Sequence, residues 1–201
     1  KNKTLLQHII EHLKENNFFN IKISIFYLKE KIKNFIYRNK KFSANINFLE
    51  EKEPLGTAGC LSLIQDSLSG NNLVVNADVL TDIDYRGLLD FHAKKNSAIT
   101  VCTREYIHEI PFGVVNVSNG IIKSIEEKPS IKSWVNAGIY VINFDKLPIL
   151  KKDKYLDMPD LLESTLAEGE KVSNFEISNY WIDIGQIHDY EKAQLDINNN
   201  L

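Results

Sequence analysis

The sequence predicts an α/β protein in which helices wrap a sheet that begins with parallel strands, and three observations carry the prediction. Apolar residues recur at helical spacing over 5–16, alternate over 21–27, and return to helical spacing over 29–38 before a short strand at 46–49. That order, α-β-α-β, suits parallel strands joined through helices. A further apolar run, Leu73, Val74 and Val75, leads straight into an acidic loop holding Asp78, Asp82 and Asp84. Ligands of open α/β sheets gather outside the carboxyl ends of the strands, which makes Asp78 the first candidate for a metal ligand. Finally, 201 residues at 43% hydrophobic and 25% charged can bury one sizeable core, so a single domain over 1–201 is expected.

The totals also exclude several classes. A net charge of −3 gives no general attraction to nucleic acid or to an anionic membrane. The locally basic stretch 29–41 has the spacing of a solvated helix face. No apolar run approaches the roughly 18 residues of a membrane span, and the N-terminus has no signal-peptide pattern, so the expected location is the cytoplasm. Cys60 and Cys102 are far apart and outside any CxxC, which fits two small buried hydrophobes better than a disulfide or a zinc site. The chain opens at Lys1 without an initiator methionine and enters a helix almost at once, from which an upstream segment is expected.

Each element has its own signal. Thr4 and Gln7 fit a capping box, and Leu5, Leu6, Ile9, Ile10 and Leu13 share one helix face. His8 and His12 lie four apart on that helix with no third ligand at metal spacing, and read as surface residues. The turn Glu53-Pro54-Leu55-Gly56-Thr57-Ala58-Gly59 opens the next helix; its small residues and helix N-terminus suit close approach to a phosphate or a base edge. Asp82 and Asp84 read as caps of a helix over 85–95, whereas Asp78 lies too early to cap it. A strand at 98–102 follows, and Asn119-Gly120 between apolar runs marks an antiparallel hairpin within 113–126. A strand begins near Trp134. Pro159 and Gly169 bracket a helix whose inner side carries Leu161, Leu162, Thr165 and Leu166. A strand over 172–177 leads into the Trp181 to Gly185 loop, where Tyr180 and Trp181 read as packing residues that hold Asp183. A last helix over 187–197 runs into Asn198-Asn199-Asn200, expected to fray.

Five motifs in register, Pro54-Leu55-Gly56-Thr57-Ala58-Gly59, Asn76-Ala77-Asp78, Glu126-Glu127-Lys128-Pro129, Asn136-Ala137-Gly138-Ile139-Tyr140 and Trp181-Ile182-Asp183-Ile184-Gly185, resemble the sugar-1-phosphate nucleotidylyltransferases. The resemblance covers essentially the whole chain. It implies a Rossmann-like three-layer α/β/α fold with a mixed, mainly parallel sheet and an antiparallel sugar-binding region. The implied reaction is in-line attack of a sugar 1-phosphate oxygen on the α-phosphate of a nucleoside triphosphate, with pyrophosphate leaving.

By the same resemblance Asp78 and Asp183 hold Mg²⁺, and Glu53, Pro54, Leu55, Gly56, Thr57, Ala58 and Asn76 bind the nucleotide. Gly113, Glu127, Lys128, Asn136 and Gly138 bind the sugar, Lys128 also being the cation for its phosphate. The Glu-Pro-Leu-Gly-Thr-Ala-Gly and Trp-Ile-Asp-Ile-Gly forms are most similar to the mannose-1-phosphate guanylyltransferase branch, implying GTP and a hexose or aminohexose 1-phosphate. Both partners are small molecules, with no nucleic acid and no membrane, and a homo-oligomer is compatible with the sequence. The family's opening strand, its GGxGTR loop and its Pro-Lys-Pro are absent, which implies an incomplete catalytic domain with a gap in the sheet. Two other readings stay open: a metal-dependent glycosyltransferase using Asp82-Ile83-Asp84, and a sensor subunit that binds a sugar nucleotide without turnover.

Overall fold

The computed structural model describes residues 3–39 and 42–198, so Lys1, the Lys40–Lys41 end of the basic stretch and Asn199–Asn200 of the C-terminal run lie outside the described residues. The chain proceeds as α1 (Leu5–Glu15), β1 (Asn20–Ile25), α2 (Lys29–Arg38), β2 (Asn45–Glu50), α3 (Gly56–Gly59), β3 (Asn71–Val75), β4 (Val79–Thr81), α4 (Tyr85–Lys95), β5 (Ile99–Glu109), β6 (Gly113–Ser118), β7 (Ile121–Glu127), β8 (Ser130–Asn143), α5 (Met158–Ala167), β9 (Val172–Glu176), β10 (Trp181–Asp183) and α6 (Ile187–Asn198). Among the described residues no helix is long and apolar enough to cross a membrane.

The central layer is a four-stranded sheet in the order β3-β8-β5-β9. Alternation along its strands sorts the core into two faces. Ile99, Val101, Tyr140 and Ile142 turn to one side and meet Met158 and Leu161 of α5. Cys102, Ile139 and Val141 turn to the other and meet Tyr85 and Leu88 of α4. Helix, sheet, helix is the expected three-layer arrangement. The sheet is mixed as expected, but the balance of strand directions differs: among the described residues β1–β2 and β5–β9 pair parallel and the other four pairings are antiparallel. The long strands β5 and β8 run on past the core as an exposed antiparallel arm, and beside them β6 and β7 form the hairpin turned by Asn119 and Gly120, both at positive φ.

β1 and β2 form a separate parallel pair with a small core of Ile10, Ile21, Ile36 and Phe42. Among the described residues this pair shares no ladder with the four-stranded sheet. Asn45 N–H donates to the Phe19 carbonyl (2.7 Å) and Glu51 N–H to the Ile25 carbonyl (3.0 Å), so odd-numbered groups of β1 face β2 and those of Lys22 and Ser24 face away. On β3 the bonds Asn76 N–H to Gly138 O (2.8 Å) and Phe144 N–H to Gly70 O (2.9 Å) turn even-numbered groups toward β8, leaving those of Leu73 and Val75 on the free edge. Residues of both strands line one cavity of about 690 Å³, with Leu6, Ile9 and Leu13 of α1 also in its wall.

Several local expectations need correction. The helix after Pro54 is only the four-residue α3 followed by two 3-10 turns, Cys60–Leu63 and Gln65–Ser67, so no full helix forms there. Leu166 points outward, 56% exposed, while Met158, Leu161 and Thr165 are the buried positions of α5. The stretch from Trp181 to Asp183 is a strand, not a loop. His12 is no free surface residue: its Nε2 lies 2.9 Å from the Ile83 carbonyl and its ring packs on Tyr85 at 4.8 Å. The Lys29 and Lys33 ammonium groups pair with Glu50 of β2.

His92, buried on α4, has its ring nitrogens against the Thr100 hydroxyl (2.7 Å) and the Asn71 side-chain oxygen (3.2 Å). Burial, and then the charge of Lys146, hold its pKa below the ordinary 6.5. The unfolded chain therefore binds more protons between the two values, so this stability is complete above about pH 6.5 and is lost as pH falls through the folded-state pKa. We expect the melting temperature to fall from pH 7 to pH 5, and the fall to shrink in His92→Gln. Equal slopes in the two proteins would place the acid sensitivity elsewhere.

Candidate active site

Two short strands bring the distant aspartates together. β4 pairs with β10 antiparallel, Val79 opposite Asp183, and Ile184 N–H donates to the Asp78 carbonyl at 2.9 Å. The pairing is fixed from below by Leu80 and Ile182, both buried against Ala193 of α6. From the side Trp181 Nε1–H donates to the Ala137 carbonyl at 2.8 Å, and Tyr180 O–H to Asp196 at 2.7 Å. The Asp183 carboxyl is raised above its ordinary range, first by burial, then by the charges of Asp78 and Asp189. Two neighbouring carboxylates that repel each other, one partly dehydrated, are the hard oxygen donors whose repulsion a divalent cation relieves. Among the described residues no group of three or more His, Cys, Asp and Glu side chains could hold a metal. Two carboxylates alone suit a hard divalent cation that keeps several of its waters.

Asn76, Asn136 and Gly138 join this centre. Asn76 N–H donates to the Gly138 carbonyl, and Gly138 N–H donates to Asn136 Oδ1 at 3.0 Å. Gly138 has φ +71°, and a Cβ there would stand 2.9 Å from Asn76 Nδ2 and 3.1 Å from Val79. Glycine is required for this crossing of backbone and side chain. The buried Tyr140 hydroxyl bonds to Asn136; burial first, with the charge of Asp78 among the smaller causes, pushes its pKa up.

The loop over 53–59 reaches the same cavity through Gly56 and Thr57, which line it with Asn76, Ala77 and Asp78. Its donors are not open, however. Leu55 N–H goes to Glu51 (2.9 Å), Thr57 N–H to Asp157 (3.1 Å), and Ala58 and Gly59 N–H both to the Leu156 carbonyl (2.9 Å). The glycines serve this internal contact: a Cβ on Gly56 or on Gly59 would lie 2.6 Å from the carbonyl of Leu156 or of Lys154. Gly56 N–H is left without a partner among the described residues. Glu53 and Pro54 are exposed and Leu55 is buried.

Gly113, Glu127 and Lys128 lie at the base of the β6–β7 hairpin. Gly113 pairs with Glu127, and a Cβ on Gly113 would come 3.0 Å from Glu127 Oε2. Lys128, at φ 49°, ties the hairpin through its N–H to the Phe112 carbonyl. All three are exposed, and among the described residues no hydrogen bond or ion pair joins Glu127 or Lys128 to the aspartates. Asp84 is committed to the cap of α4, accepting from Arg86 and Gly87 N–H. Glu51, Tyr140 and Asp157 were not singled out from sequence. Two of them carried a signal: Tyr140 closes the Asn136 to Tyr140 motif, and Asp157 stands directly before Met158-Pro159.

The nucleotidyl transferase family matches residues 1–200 of the chain. The mannose-1-phosphate guanyltransferase of Yarrowia lipolytica is 30% identical over 205 residues, covering 94% of this chain and 54% of that protein. The Saccharomyces cerevisiae protein of the same name is 27% identical, covering 94% and 55%. The chain thus spans about half the length of the curated relatives it matches. Among solved structures, HddC from Yersinia pseudotuberculosis in complex with GMP-PN superposes with a TM-score of 0.74 at 22% identity, covering 96% of this chain and 84% of that one. With five motifs in register, a three-layer fold and a match along its length, the chain belongs to the nucleotidyl transferase family.

Proposed function

We propose that the protein is a sugar-1-phosphate nucleotidylyltransferase that takes a nucleotidyl group from a nucleoside triphosphate, GTP first among them, and yields a nucleotide sugar and pyrophosphate. The observation that carries the reading is the β4–β10 pairing, which sets Asp78 beside Asp183 at the mouth reached by Asn76 and the 53–59 loop. The names of the relatives support guanine as the base and mannose 1-phosphate as the acceptor. In this reading the protein works in the cytoplasm on two soluble small molecules.

A sugar 1-phosphate oxygen forms a bond to the α-phosphorus while the bond to the β-phosphate oxygen breaks, so the centre must align both and absorb negative charge. Asp78 and Asp183 would hold Mg²⁺, which supplies charge neutralisation across the phosphates. Gly56 N–H, on the cavity wall without a partner among the described residues, is a donor for the nucleotide, and Asn76, held by Gly138, orients the nucleotide beside Asp78. Lys128 is the cation for the sugar phosphate, and Glu127, Asn136, Gly138 and Gly113 shape the sugar side.

Pyrophosphate release by the intact protein, with Mg²⁺, each of the four ribonucleoside triphosphates and a panel of sugar 1-phosphates, tests the reading. Release should need both substrates and be fastest with GTP. A folded protein that releases none with any combination would sink it.

A further inference from the structure

Asp157 occupies the N-cap position of α5 with the extended backbone of a cap, yet its carboxylate makes no bond to that helix. Instead Oδ1 accepts from Thr57 N–H at 3.1 Å and from the Thr57 hydroxyl at 3.3 Å, while Oδ2 accepts from the Tyr155 hydroxyl at 2.7 Å. The cap of α5 comes from the other side: Met158 N–H donates to the Thr57 hydroxyl at 2.7 Å. Two helix starts far apart in sequence have exchanged caps, so each holds the other in place. Leu156 fastens the exchange, accepting at its carbonyl from Ala58 and Gly59 and donating its N–H to the Leu55 carbonyl at 2.8 Å.

This exchange decides which donors the 53–59 loop can show. Four of its amides are satisfied inside the protein by Glu51, Asp157 and Leu156, and among the described residues Gly56 N–H, on the cavity wall, has no partner. Loss of the Asp157 carboxylate would free Thr57 N–H and unfix the turn, so the loop would sample several donor arrangements where now it holds one. A site that must be ordered on binding loses affinity by the cost of ordering it. The four-residue α3 is too short to persist without such support.

We propose that Asp157 is a positioning residue for nucleotide binding, acting through Thr57 to hold the 53–59 loop with Gly56 turned to the ligand. This rests on the reading that the loop meets the nucleotide. Neither Asp157 nor Tyr155 touches substrate; the pair sets the loop's conformation from behind. The acceptor side of the centre, built on β6, β7 and β8, lies outside this network and is indifferent to it.

The test is titration of the intact protein with methylanthraniloyl-GTP and Mg²⁺, beside the KM for the sugar 1-phosphate, in wild type, Asp157→Ala, Thr57→Val and Thr57→Ser. Asp157→Ala and Thr57→Val should weaken the labelled nucleotide about tenfold, the scale of one lost cap. Thr57→Ser, which keeps the hydroxyl, should restore it, and KM for the sugar phosphate should stay within about twofold throughout. Folded Asp157→Ala and Thr57→Val proteins that bind as tightly as wild type overturn the inference. If Asp157→Ala does not fold, Tyr155→Phe, which removes the bond that aims the Asp157 carboxylate and lies outside the binding loop, decides in its place: a folded variant that binds as tightly as wild type overturns the inference. A wild-type protein that binds no labelled nucleotide overturns the functional reading instead, and the inference falls with it.

Discussion

Asp78→Asn and Asp183→Asn should each lower nucleotidyl transfer by about 10²–10³-fold, and Asp183→Asn should do so without lowering the melting temperature. The substitution keeps the shape of each side chain and removes one negative charge. For transfer that charge matters, because the pair would otherwise hold the cation against phosphates that are themselves anionic. For stability it is a liability, since burial and the charges of Asp78 and Asp189 already act against the ionised Asp183. Pyrophosphate release and a thermal melt on the same preparations separate the two effects. Retained activity in either variant would remove the aspartate pair from the mechanism. A drop of several degrees in Asp183→Asn would make that residue part of the scaffold.

Gly56→Ala is the second large effect: a loss of about 2–4 kcal/mol, most of it from a contact the new methyl cannot avoid. The backbone there has φ +77°, and the added Cβ would stand 2.6 Å from the Leu156 oxygen and 3.0 Å from its carbonyl carbon. Both are main-chain atoms, and the same stretch bonds Leu55, Ala58 and Gly59, so it cannot swing aside without breaking those bonds. Gly120→Ala supplies the comparison. Its φ is nearly the same, +75°, but nothing lies within 4 Å, so only the conformational cost of about 1–2 kcal/mol remains. Urea denaturation of both variants checks the difference; equal losses would mean that the 154–157 segment yields.

Much of the fold was legible because local chemistry and tertiary structure agree. The Thr4 hydroxyl does cap α1, accepting from Gln7 N–H, and Asp84 caps α4. Asn119 and Gly120, at φ 53° and 75°, form the two-residue turn their identities demand. What was hidden depended on partners distant in sequence. β4 and β10 have three residues each, too few for a period to be read, and only Leu80 and Ile182 packing on α6 makes them strands. The short α3 could not be told from a full helix, because its next turns are shaped by segments near Pro148 and Leu156. Asp157 had the right residue and place for a cap, but nothing local says which helix a carboxylate will cap. In the site, Asp78 followed from a strand and the acid after it, whereas Asp183 came from the family resemblance alone; its neighbourhood to Asp78 is a property of the pairing.

The open edges of β1 and β3 also bear on how the molecule comes apart. Because no ladder among the described residues crosses the cavity between them, β1 and α2 share a small core with Ile10 of α1 and Phe42, while the larger sheet is packed on both faces. Among the described residues this smaller piece is joined to the larger one chiefly through α1, whose His12 and Leu13 reach Ile83 and the α4 side of the core, so its opening turns on that one helix. Hydrogen exchange would report it directly: the amides of Ile21 and Ile23, though bonded to β2, should exchange orders of magnitude faster than those of Val101 and Val141.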